Sequence, residues 1–441
     1  MKKNREASYE KGKALAERAR QIIPGGCHTY AKGADQFPEL SPPFIERGAG
    51  CHVWDMDGNR FIEYAMGLRA VTLGHAYREV YEAAARELPN GSNFNRPAPI
   101  EVRAAEKLLG CIQGAEMVKF CKDGSAALDG AVKLARSHTG RDMIAICGDH
   151  PFFSSSDWFI GSTAIAGGVP EWTRSHTVKF HYNDLESLDR LFTQYPERIA
   201  CVVLEAAKHE EPQGSFLKDL LDLTHRRGAI VVLDEMITGF RWHVGGAQHV
   251  YGIDPDLSTF GKALANGFAL SALVGKREIM RLGGLDHDRE RVFLMSTTHG
   301  AETHALAAGI ATMDIYQRED VIGHLYRAGA RLRAGIEAAA REFGVERYVG
   351  TLGRECALVY FTRDREGRPS QELRTLFQQE LIRGGVLAPS FIVSYSHREA
   401  DIDATIAAVR AALPIYRDAL EHGVERYLIG APVKPVYRPY A

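Results

Sequence analysis

The sequence predicts an α/β fold: a large domain with a mostly parallel sheet between helices, plus a smaller α+β domain drawn from the N- and C-terminal segments. Three observations predict it. From about residue 76, helical stretches alternate with short apolar runs, the pattern of strands joined by crossover helices. Beyond a long helical segment the pattern turns to mixed strand and helix. A chain of 441 residues also has the length of two or three domains. The boundaries fall near 75 and 320, giving segments 1–75, 76–320 and 321–441, the first and last belonging to the smaller domain.

The elements follow in order. Residues 8–22 read as a charged helix that stops at Pro24-Gly25-Gly26. A loop rich in Pro and Gly leads to alternation from His52 to Tyr64, where Asp57-Gly58 predicts a hairpin turn. Helices are expected at 100–110, 125–138, 184–194 and 215–228, and strands at 143–147, 199–204, 229–233 and 271–275. A long helical segment, 301–342, precedes a strand at 356–361, a helix at 370–383, a strand near 385–388 and a closing helix at 400–421. No repeat, low-complexity tract or long linker interrupts the chain.

Composition narrows the function. Hydrophobic residues make up 45% and charged residues 25%, as in soluble globular proteins. A net charge of −2 supplies no global field for nucleic acid or acidic membranes, so small neutral or zwitterionic substrates fit at least as well and neither nucleic acid nor membrane is an expected partner. The seven cysteines are scattered and never spaced C-x-x-C, which speaks against a disulfide framework or a structural zinc site and for a reducing compartment. Met1-Lys2-Lys3-Asn4-Arg5-Glu6 leads into a charged stretch with no apolar region of a signal peptide. The charge-free run Ala263–Gly275 is too short to span a bilayer. The expected location is cytoplasmic.

The chemistry centres on Lys262, in Phe260-Gly261-Lys262-Ala263. Asp234 ends the apolar run Ala229–Leu233, 28 residues earlier. A pyridoxal phosphate (PLP) site needs a lysine for the Schiff base and a carboxylate against the pyridine nitrogen. The pair alone is weak, because many apolar runs end in Asp and most lysines beside glycine lie at the surface. Asp123-Gly124-Ser125 opens a helix with Ala127, Leu128, Ala131, Leu134 and Ala135 on one apolar face. Its start is an ordinary N-cap or a docking place for a phosphate. Glu205 ends a neighbouring apolar run, and ligands of open parallel sheets sit at such strand ends.

At this point the residues resemble a known family. Pro24-Gly25-Gly26, Trp54-Asp55-Met56-Asp57-Gly58, Leu73-Gly74-His75, Asp234-Glu235-Met236-Ile237-Thr238-Gly239-Phe240-Arg241 and Phe260-Gly261-Lys262 are similar to motifs of class III aminotransferases of PLP fold type I, nearest the glutamate-1-semialdehyde aminomutase branch. The likeness runs from about residue 10 to 415 in the right order. It implies that Lys262 forms the Schiff base, that Asp234 faces the pyridinium nitrogen and that Met236 lies under the ring. It implies that Gly124 and Ser125 bind the phosphate. Ser296-Thr297-Thr298-His299-Gly300 stands where the family reads Gly-Thr-Leu-Ser-Gly, so Thr298 would reach the neighbouring subunit's cofactor in a homodimer with shared active sites.

Departures gather on the substrate side. Phe152-Phe153-Ser154-Ser155-Ser156-Asp157-Trp158 aligns with the family's Tyr-His-Gly-Trp-His-Asp-Trp, so Phe152 replaces a stacking tyrosine; stacking needs only a π-face. The alternative is a pair of core phenylalanines. Lys32 holds the place of a carboxylate-binding arginine and is a poorer bidentate clamp. Gly67-Leu68-Arg69 replaces Ser-Trp-Gly and brings in the cation Arg69, either for an acidic substrate group or for a surface ion pair. The Glu-Pro pair becomes Glu205-Ala206, and Glu210 in the following loop joins Arg69 and Lys32 as a candidate substrate contact. The stretch Ser154–Pro170, with Gly161, Gly167 and Gly168, is a candidate lid.

The expected function is PLP-dependent amino transfer between an amino donor and a keto or aldehyde acceptor. The alternative is an aminomutase, which keeps amine and carbonyl on one molecule. A nicotinamide dehydrogenase fits poorly, since Gly48-Ala49-Gly50 lacks a third glycine and precedes no helix. A PLP-binding regulator would carry a DNA-binding module, and no basic patch or appended domain is visible.

Overall fold

The computed structural model describes residues 8–150 and 154–440. The chain divides into two units, one formed by Met1–Tyr77 with Gly323–Val436 and the other by Arg78–Ile322 with Tyr437–Ala441.

The second unit is built on a twisted sheet. Its strands are β1 (Met117–Cys121), β2 (Met143–Cys147), β3 (Thr177–Phe180), β4 (Ile199–Leu204), β5 (Ile230–Asp234), β6 (Leu257–Phe260) and β7 (Ser271–Gly275). Their spatial order is β1-β7-β6-β5-β4-β2-β3. β6, β5, β4, β2 and β3 run parallel, while β7 is antiparallel to both β6 and β1. Every residue of β2, β4, β5 and β7 is buried. Strands covered on both faces need such continuous apolar runs.

Helix α1 (Gly124–Thr139) packs on this sheet. The five residues expected on its apolar face, Ala127, Leu128, Ala131, Leu134 and Ala135, are all buried. Asp123 caps it by accepting from the Ala126 N–H at 2.9 Å, and Gly140 closes it at φ 69°. Both signals are local and readable.

β1, β3 and β6 escape the periodicity argument. Lys119 and Lys179 interrupt β1 and β3, and both lysines are solvent-exposed on edge strands. In β6 the polar Ser258 and Thr259 are buried because each hydroxyl has a partner: Gln248 Oε1 at 2.7 Å and Asp234 Oδ1 at 3.3 Å. The single long helix expected over 301–342 is two, α2 (Thr303–Arg318) and α3 (Val321–Glu342). Glu319 is extended (φ −111°, ψ 146°), which ends α2.

In the first unit, the helix Glu10–Ile22 stops before Pro24 as expected. Strands Ile45–Ala49, His52–Asp55 and Arg60–Glu63 form an antiparallel meander, and Val386–Leu387 adds in parallel against Ile62 and Glu63. The hairpin turn is fixed by Asp55, whose Oδ1 accepts from the N–H groups of Asp57 (3.0 Å) and Asn59 (2.8 Å), with Gly58 at φ 87°. The strand expected from 356 begins at Val359, because 355–357 form a 3₁₀ turn that buries Cys356. Helices Gln371–Arg383 and Glu399–His422 complete the unit. His52 turns Nδ1 to Cys51 Sγ (3.6 Å) and Nε2 to Asp401 Oδ1 (3.2 Å), and the ligand atoms of Cys51, His52 and Asp401 lie within 4.8 Å of one another.

The seven cysteines are free thiols. Among the described residues no helix is long and apolar enough to cross a membrane.

Candidate active site

The parallel register places two acids side by side. Leu204 of β4 pairs with Leu233 of β5, so Glu205 and Asp234 emerge together at the carboxyl ends of adjacent strands, where open sheets bind ligands. Asp234 also pairs with Thr259 of β6. Both acids are buried, Glu205 3% and Asp234 4% exposed.

Asp234 Oδ1 accepts from the Met236 N–H at 2.9 Å and the Thr259 hydroxyl at 3.3 Å. Burial pushes its carboxyl above the usual carboxylate range, and the Lys262 charge, these two hydrogen bonds and Lys208 pull it back. Glu205 is raised by burial too; Lys208 opposes this while Asp234 adds to it. Lys208 Nζ lies 3.0 Å from Glu205 Oε1.

Lys262 opens a tight turn just past the end of β6, with its own φ at 45°. A left-handed φ is costly for lysine, and such strain persists where the surroundings fix it, commonly at functional sites. The Met236 thioether reaches both flanking glycines. A Cβ on Gly124 would meet Met236 Sδ at 3.1 Å, and one on Gly261 would meet it at 2.6 Å. Gly261 has no room for a side chain, and at Gly124 one would force Met236 to give way by a few tenths of an ångström. Ser125 follows in the first turn of α1, and its Oγ accepts from the Ser155 N–H at 3.1 Å. The fold therefore brings Gly124, Ser125, Asp234, Met236 and Lys262 to one place.

The remaining expected residues are distributed differently. Phe152 lies outside the described residues. Glu210 is exposed and accepts from Asn183 Nδ2 at 3.0 Å. Thr298 is exposed, in a loop whose Thr298 carbonyl accepts from Asn93 Nδ2 at 2.9 Å. Lys32 and Arg69 belong to the first unit, Lys32 exposed and Arg69 half-buried. Arg69 closes a left-handed run, Met66 to Arg69, with φ of 43°, 57°, 58° and 72°. Successive left-handed L-residues cost roughly 1–2 kcal/mol each. The start of the lid candidate is pinned: Trp158 and Phe159 are buried in the core, and Trp158 Nε1 donates to Asp129 at 2.6 Å.

Sequence reasoning missed Thr259 and Lys208. Thr259 sits in a strand too polar to recognise, and Lys208 carries no motif. It also missed Glu235, which accepts from the N–H groups of Ala247 and Gln248 at 2.7 Å each and whose burial pushes its carboxyl up to about 7. Its apparent signal, adjacency to Asp234, reflects a structural role in holding the following helix.

The family described as Aminotransferase class-III matches residues 30–386. The chain belongs to the class III aminotransferases. It is 34% identical to the glutamate-1-semialdehyde 2,1-aminomutase of Laribacter hongkongensis (strain HLHK9), over 91% of this chain and 99% of that protein. Among solved structures, it resembles the PLP internal aldimine form of the Sphingopyxis sp. MTA144 FumI protein, with TM-score 0.85 and 28% identity over 94% and 98% of the two chains. An omega-transaminase from Sphaerobacter thermophilus follows, with TM-score 0.82 and 25% identity over 92% and 98%.

The aminotransferase is therefore an enzyme of the PLP-dependent transaminase class with PLP fold type I, and its cofactor is PLP. The residues present fit that group: a lysine at a strand end, a buried acid beside it, and a helix start kept open by Gly124. The name carried by the curated relatives fits amine transfer within one molecule better than the expected transfer between two.

Proposed function

We propose that this aminotransferase moves an amino group within one small molecule, using PLP held covalently through Lys262. The observation that carries the reading is the placement of Lys262 and the buried Asp234 at adjacent strand ends of a class III aminotransferase. When bound, PLP supplies the electron sink that takes up charge from a substrate carbon. The protein's own groups do the rest. With the cofactor bound, Asp234 would face the ring nitrogen and hold a proton there. The Lys262 amine would act as the base that takes and returns the proton of the substrate carbon bearing the amine. Gly124 and Ser125 would receive the phosphate at the start of α1, and Met236 would lie against the ring. Thr298 would serve the partner subunit's phosphate, which would make the working form a homodimer with shared sites.

The intramolecular reading draws support from the aminomutase relatives, 30–34% identical over 91–93% of this chain. A second reading, transfer between separate donor and acceptor molecules, is favoured by one specific observation. Lys32 stands where the aminomutase pattern expects arginine, and Arg69 appears in a strained left-handed turn. Under that reading Arg69 and Lys32 select an acidic partner, and Arg69→Ala raises KM for it more than for a neutral one.

One experiment separates the readings. Glutamate-1-semialdehyde is offered alone, and in parallel a panel of free amines is followed by a separate aldehyde or keto acid. Conversion to 5-aminolevulinate without any external donor supports the first reading. Full conversion to the pyridoxamine form by a free amine, reversed by a separate acceptor, supports the second. Failure of both arms with PLP-loaded protein contradicts amino transfer at this site.

A further inference from the structure

Two carboxylates at adjacent buried strand ends repel each other unless cations compensate them. Facing Glu205 are Asp234, Lys262 and Lys208, with the hydroxyl of Tyr437 and the ring of His150, which is hydrogen-bonded to the Glu205 backbone. Burial raises the Tyr437 hydroxyl and lowers His150 to about 4, so both are neutral near pH 7. That leaves two acids and two lysines. Lys262 is the lysine whose bonding changes when the cofactor is attached, released and re-attached. It cannot serve as a constant countercharge.

Lys208 can. It stands three residues beyond Glu205, in Glu205-Ala206-Ala207-Lys208, the stretch where the family's Glu-Pro pair is altered. Its ammonium lies 3.0 Å from Glu205 Oε1, with the carboxylate 3% and the lysine side chain 23% exposed. We propose that Lys208 is a positioning residue: paired to Glu205, it is the fixed countercharge that keeps the charge beside Asp234 constant while Lys262 changes its bonding. This rests on the amino-transfer reading above. A buried ion pair of this kind sets the charge state of its surroundings more than it adds stability.

The test reads the cofactor's visible absorbance band against pH, with no turnover involved. Glu205→Gln leaves the Lys208 cation uncompensated, which disfavours a proton on the nitrogen joined to Lys262. The midpoint of the band is expected to fall by about one pH unit. The double variant Glu205→Gln with Lys208→Met is neutral at both places and is expected to return to within about 0.2 units of the parent. An unmoved midpoint in Glu205→Gln would mean that Glu205 carries no charge to lose. A fall that persists in the double variant would mean that Lys208 is not its source. Either result overturns the proposal. A second readout uses the cofactor-free protein at pH 8: Lys208→Met is expected to melt several degrees below the double variant, because it strands a buried acid. Equal melting overturns the proposal as well. If the parent never develops the band with PLP, the amino-transfer reading fails, and the melting comparison still decides the role of Lys208.

Discussion

At Asp234 the chain buries a carboxylate beside a second one, an arrangement that costs stability and marks a functional site. Its Oδ1 is held by the Met236 N–H and the Thr259 hydroxyl, which fix the acid's orientation. Asp234→Asn keeps the shape and removes the charge that holds a proton on the ring nitrogen. Turnover is expected to fall on the order of 10³-fold, about 4 kcal/mol at ~1.4 kcal/mol per decade. A variant with more than a tenth of the parent's activity contradicts this role, provided its PLP content is unchanged. Lys262 and Asp234 were legible in the sequence because each ends or follows an apolar run in a motif. Thr259 was not, because a threonine in a short polar strand looks the same whether or not an acid needs its hydroxyl. Lys208 was equally silent: only the fold shows that its ammonium reaches Glu205.

Elements were legible where burial is periodic. The face of α1 and the runs of β2, β4, β5 and β7 are apolar because both sides of the sheet are covered. The edge strands β1 and β3 were hidden by lysines that face water, and β6 by hydroxyls satisfied by tertiary partners. The break between α2 and α3 carries no Gly or Pro at the end of α2; its one signal is Asp320, a favoured cap residue directly before α3. The loop carrying Thr298 belongs to the same scale. Thr298 is exposed, with its carbonyl held by Asn93, as a residue that serves a neighbouring subunit would be. If the sites are shared, dilution below the dimer constant releases PLP, and Thr298→Ala weakens PLP retention without moving Lys262. Sedimentation of the loaded enzyme over a concentration series checks this; a fully active, PLP-loaded monomer contradicts it.

Across the whole molecule, the chain divides into one unit of Met1–Tyr77 with Gly323–Val436 and another of Arg78–Ile322 with Tyr437–Ala441. Arg69 and Lys32 belong to one unit and Lys262 to the other. The pH response of the whole fold is set in part by His397, which is fully buried and pushed down to about 3 by that burial. The Ser394 N–H donates to its Nδ1 at 2.9 Å, so a second ring proton would have to displace that bond. The unfolded histidine titrates near 6.5. Its contribution is therefore complete above about pH 6.5 and is lost as pH falls toward about 3. His397→Gln is expected to be less stable at pH 8 but to lose about 2 kcal/mol less between pH 7 and pH 5; denaturant midpoints at the two pH values check it, and equal losses contradict it. Whether Lys262 carries the cofactor is decided by borohydride reduction of the PLP-loaded enzyme followed by peptide mapping. One pyridoxyl label is expected, on the peptide containing Lys262, and none in Lys262→Ala protein; a label on any other lysine refutes the assignment.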